Sequence, residues 1–140
     1  MDASEFARSL FEDAGYQLAK VLEGIDEEYG QYKITPSSKS PSETCEHLAD
    51  TYTAFLSELA GNKYEWGTFK PSGAPWPAAW HEALVIRNGV AESLKGELSN
   101  HQLNVAANYI IAHDYYHVGQ MCQARIAFDP KWDPYSIYRM

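Results

Sequence analysis

Two histidines stand four residues apart in the segment His113-Asp114-Tyr115-Tyr116-His117, within a stretch whose apolar periodicity predicts a helix. Residues at that spacing lie one turn apart on the same helix face. Two imidazoles so placed can grip one metal ion, and a third stands upstream at His47. Three protein ligands leave a coordination position open, which is what a catalytic metal requires. Along the same stretch Ala106, Ile110, His113, His117, Gln120, Met121 and Ala124 fall near one face, so the histidines are expected to point inward. Buried imidazoles carry polar nitrogens that need partners. The competing reading is two core histidines hydrogen-bonded to carbonyls or to Tyr and Asp neighbours. A third inward histidine on another helix favours a metal over that alternative.

Neutral imidazoles suit Zn²⁺, Ni²⁺, Co²⁺ or Fe²⁺ better than Mg²⁺ or Ca²⁺, which prefer oxygen. Zn²⁺ is the default, from its habit of three ligands plus water. Ligand histidines usually have their second nitrogen held by a neighbour. Gln120 is placed to do this for His117, and Asp50 or Glu43 for His47, although Glu43 also stands where a helix cap is needed. His81 beside Trp80, Arg87 on an apolar stripe, and Tyr116 between the paired histidines are candidates to line a substrate pocket. His101 is expected in the turn before the last helix.

Two other metal chemistries fail on the letters. The HDxxH spacing resembles the HExxH of zinc proteases, but Asp shortens the general base and no third ligand follows downstream. A di-iron bundle needs paired Glu-x-x-His motifs, which are absent. No GxSxG, P-loop or GxGxxG pattern points to acyl, phosphoryl or hydride chemistry.

The elements that must position these residues are predicted to be four helices and no strand. The first covers about residues 4–29, opened by an Asp2/Glu5 capping box and stopped by Gly30. The second begins at Ser40-Pro41-Ser42-Glu43, with an N-cap, a proline at the first position and a capping Glu, and ends at Gly61-Asn62. Residues 61–77, rich in Pro, Gly and aromatics, form a long ordered crossover loop. The third helix covers about residues 78–99 and the fourth about 103–128. The expected fold class is therefore all-α: a four-helix bundle with a long crossover connection between helices 2 and 3, in a single domain over residues 1–140.

A net charge of −8 with no basic cluster argues against a nucleic-acid partner. Two cysteines, Cys45 and Cys122, without CxxC spacing, do not read as a disulfide framework. The opening Met1-Asp2-Ala3-Ser4-Glu5 lacks the features of a signal peptide, and no apolar run approaches the ~20 residues of a membrane span. These features predict a cytoplasmic protein acting on a small molecule, with neither nucleic acid nor membrane as partner.

The segment Ser42-Glu43-Thr44-Cys45-Glu46-His47-Leu48 resembles the start of helix 2 in the DinB-like (DinB/YfiT) superfamily of bacterial proteins. His113-Asp114-Tyr115-Tyr116-His117-Val118-Gly119-Gln120-Met121 resembles that family's HxxxHxGQ signature. The resemblance spans nearly the whole chain in helix order. It departs where Lys39 and Ser40 replace a Trp common before the helix-2 motif. It implies a three-histidine metal site at His47, His113 and His117, and a homodimer. Some relatives are metal-dependent transferases using a low-molecular-weight thiol. Two functions stay open: a metal-dependent enzyme of thiol-transferase or hydrolase type, or a non-catalytic binding or structural bundle in which the histidines or a metal only stabilise the fold.

Overall fold

The helix ends follow from short-range chemistry. Asp2 accepts from the Glu5 amide (2.8 Å) and Glu5 accepts from the Asp2 amide (2.9 Å), closing a reciprocal capping box at the start of α1, Ala3–Leu22. The computed structural model describes residues 1–139, which are helical with no strand among them. α1 is shorter than the periodicity predicts. Gly24 takes a left-handed conformation (φ 72°), and Asp26 then caps a separate turn, α2, Glu27–Gly30. A glycine free to reverse the chain, followed by a cap residue, outweighs the continued apolar stripe.

α3, Pro41–Leu59, begins as expected: Ser40 and Glu43 exchange side-chain-to-backbone bonds at 3.1 Å, and Pro41 occupies the first turn. α4, Ala78–Ser93, stops six residues earlier than expected. Ser99 is not its last residue but the N-cap of α5, Asn100–Val105, in a capping box with Gln102. His101 therefore lies in the first turn of α5 and not in a loop before it. A π-helical turn, Ala106–Ile111, joins α5 to α6, Ala112–Phe128, and a 3₁₀ turn, Pro134–Ile137, follows.

α3 packs along α4, and α1 packs along α6 and the π turn. The connection after α3 doubles back along it. The Asp50 carboxylate, midway along α3, accepts from the amides of Gly67 (2.8 Å) and Phe69 (3.1 Å). Trp76 then reaches α2, where a Cβ on Gly30 would sit 2.6 Å from its ring, and donates to the Ile25 carbonyl. α4 thus starts beside the beginning of α3, and the two run in the same direction. Between the helices lie Phe11, Leu18, Leu48, Tyr52, Phe55, Val90, Leu94, Ile110 and Met121, all buried. Phe6, counted on the inward stripe of α1, is 55% exposed. No described helix is long and apolar enough to cross a membrane.

Candidate metal centre

The π turn feeds directly into the first turn of α6, which presents His113 and, one turn on, His117; α3 brings His47 opposite. The three side chains meet. His113 Nε2 lies 3.0 Å from His47 Nε2 and 3.1 Å from His117 Nε2, and the potential ligand atoms of all three fall within 4.8 Å of one another. Two nitrogens each bound about 2.0–2.1 Å from one ion are themselves about 3 Å apart, so the spacing suits a shared divalent cation.

Proton accounting supports the same conclusion. His117 Nδ1 lies 2.8 Å from Gln120 Oε1, an acceptor, which assigns the proton to Nδ1 and leaves a lone pair on Nε2. His113 Nδ1 is buried and has no partner among the described residues. If His113 carries its proton on Nε2, it can serve only one of two neighbours, and its Nδ1 lone pair is stranded. If the proton sits on Nδ1, that N–H is stranded and lone pairs face each other across 3.1 Å. Double protonation does not help: burial, together with His117 and His47, holds the His113 imidazole down at about 4. Burial likewise pushes His117 down to about 4, against the raising effect of Gln120, and lowers His47. Three neutral imidazoles converging by their lone pairs form a cation site, and no protein hydrogen-bond pattern satisfies them as well.

The other expected residues divide. Gln120 holds His117 as its spacing implies. Glu43 stays with its cap and pairs with Lys33 at 3.2 Å, which with the Ser40 amide holds its carboxyl below the usual value. Asp50 ties down the loop instead. Neither hydrogen-bonds to the His47 ring among the described residues. What lies against that ring is Trp66, stacked at 6.0 Å between centroids and 10° between planes. Asp50 acts on His47 indirectly, by fixing the loop that carries this indole. Tyr116 is exposed and meets His117 edge-on at 4.9 Å. His81 is exposed on α4.

Arg87 lies in a polar knot inside the core. Its Nη1 donates to Asp114 (2.6 Å) and to the Tyr52 hydroxyl (2.7 Å), and its Nη2 donates to the Phe11 carbonyl. Tyr52 in turn donates to Asp114 (2.7 Å). The guanidinium stacks over Phe11 at 3.7 Å, and a Cβ at Gly15 would sit 2.8 Å from its Nε. Arg87 is thus a buried partner of Asp114, which the stripe position alone could not distinguish from a pocket residue. The cysteines are free and buried, as expected of core residues.

Trp66 and Tyr109 were not singled out by the spacing of the chemistry-bearing residues. Trp66 reaches the site through a loop whose course depends on Asp50, and Tyr109 through a π turn that helical phase does not anticipate. No protein-family model, curated protein or solved structure matches this chain.

Proposed function

We propose that this chain is a metal-dependent enzyme of the DinB-like kind, a four-helix bundle with a crossover between its second and third long helices. In this reading His47, His113 and His117 hold one divalent transition-metal ion, with zinc or nickel the leading choices. The observation that carries it is the convergence of three Nε2 atoms around an imidazole whose other nitrogen is stranded. The capped, parallel course of α3 and α4 and the His-x-x-x-His-x-Gly-Gln segment support the family assignment.

A divalent ion at such a centre supplies Lewis-acid activation, lowering the pKa of a water or thiol so that a nucleophile is available at neutral pH. The chain's own residues prepare the site for it. Gln120 fixes the tautomer and orientation of His117. Burial keeps the imidazoles unprotonated at neutral pH, the state in which they bind metal. Trp66 covers one face of His47 and limits water there. With three ligands from the protein, one side of the centre stays free for a small molecule, which favours transfer to or from a thiol, or hydrolysis. A homodimeric, cytoplasmic protein with a low-molecular-weight thiol as co-substrate completes the proposal.

The test is elemental analysis of protein purified without an affinity tag, beside the His113→Ala variant. About one zinc or nickel ion per chain in the wild type, and none in the variant, is expected. Absence of metal from both, even after reconstitution, would return the three histidines to the core and remove the enzyme reading with them.

A further inference from the structure

Beside the histidine cluster lies a second feature that the metal centre does not use. Glu58, Tyr64, Trp66, His101, Val105 and Tyr109 line an open cleft of about 300 Å³. Trp66 and Tyr109 are 50% and 55% exposed, unusual for rings of that size without a partner. Tyr64 packs against both, edge-on to Trp66 at 5.3 Å and tilted to Tyr109 at 6.2 Å. Its hydroxyl is buried with no hydrogen-bond partner among the described residues. At the edge of the cleft Glu58 accepts from His101 at 2.9 Å. Tyr109 belongs to the π turn, Ala106–Ile111, a geometry that is costly in a helix and recurs at functional sites. The cleft meets the histidines through one shared ring, because the indole that lines it also stacks on His47.

Each part of this arrangement selects a ligand property. Exposed aromatic faces favour a flat ring that can stack or pack edge-on. The stranded Tyr64 hydroxyl calls for one polar substituent at the inner end. The Glu58 carboxylate repels an anion, and its pairing with His101 already balances its charge against a cation. We propose that this cleft binds a neutral aromatic molecule carrying a hydroxyl-type substituent. As a binding site the cleft stands without a metal; as the substrate-recognition half of an enzyme it rests on the metal-centre reading above.

The probes are phenol and its saturated counterpart cyclohexanol, titrated against full-length protein, both metal-loaded and chelator-treated. The readout is the Trp66 indole N–H resonance, assigned by its disappearance in Trp66→Phe. Phenol is expected to shift that resonance saturably in both forms of the protein, and cyclohexanol to bind several-fold more weakly. Tyr109→Ala and Tyr64→Phe should each weaken phenol by about 2- to 10-fold. Equal binding of cyclohexanol, loss of phenol binding on chelation, or tighter binding of benzyltrimethylammonium than of phenol would each overturn the assignment. Phenol binding to a protein that holds no metal would leave the cleft standing and remove only the enzyme reading. A metal-loaded protein whose Trp66 ignores phenol would do the reverse.

Discussion

His113 and Asp114 are neighbours in the chain, yet they end in opposite situations. Asp114 turns into the core, where one carboxylate oxygen receives Tyr52 and the other receives Arg87, so a fully buried charge is matched from α3 and α4. His113 turns to a half-buried pocket, where one nitrogen is stranded and the other is crowded by two more imidazoles. Burial alone would raise the Asp114 carboxyl, and the guanidinium and hydroxyl oppose it. Nothing within the described protein does the same for His113. A polar group that the fold satisfies is holding the fold together. One that it leaves unsatisfied awaits a ligand.

The largest effect should come from breaking the satisfied side. Asp114→Ala strands a buried guanidinium and is expected to cost about 3–5 kcal/mol of stability. Arg87→Met combined with Asp114→Leu removes both charges and should cost much less than the single change. Urea unfolding of the three proteins reads this directly. A single variant within about 1 kcal/mol of wild type would mean the knot is not the structural element described here.

The unsatisfied side should respond in the opposite sense. With zinc at a hundredfold excess over its dissociation constant, the wild type gains about 2.7 kcal/mol of stability. His113→Ala should gain none, while its metal-free form loses little, since the stranded nitrogen leaves with the ring. Metal-dependent melting shifts in both proteins separate the two contributions, and an equal shift in the variant would contradict the three-histidine centre.

Acid provides a further contrast. In the metal-free protein His113 and His117 take up protons only near pH 4, whereas in the unfolded chain they do so near their ordinary 6.5. Between those values the unfolded chain binds more protons, so stability present above about pH 6.5 is lost progressively as pH falls toward 4. Removing one of these groups should flatten that loss. Urea midpoints of metal-free wild type and His113→Ala, followed from pH 7 to 4, should converge with acidity. Parallel curves would mean that His113 is already protonated in the native protein.

The same contrast explains what could be read from the letters. Spacing of four placed His113 and His117 together, and inward phase placed His47 opposite, because helical periodicity is a local property. The caps at Asp2 and Ser40 are equally local, and both form. The break at Gly24 and the cap at Ser99 carried signals as well, but a continuing apolar stripe masked them. Arg87's partner was hidden because Asp114 is remote in sequence and its pairing depends on how α4 and α6 approach. The π turn left no mark in the pattern, so Tyr109 could not be assigned a direction.

The smallest effects test which neighbours serve the histidines and which serve the helix. Gln120 and Glu43 both looked like partners of ligand nitrogens, and only Gln120 touches one. Gln120→Ala frees the His117 ring to rotate and change tautomer, so metal affinity should fall by about 10- to 100-fold with little change in the metal-free protein. Glu43→Ala removes half of a capping box and an exposed ion pair, costing about 1 kcal/mol or less. Its metal affinity should stay that of the wild type, because the helix it caps is held along its length by packing against α4. Competition titration against a chromogenic chelator measures both variants on one scale. Equal losses in affinity would show that His47 depends on the start of α3, and that the cap and the metal centre are one unit.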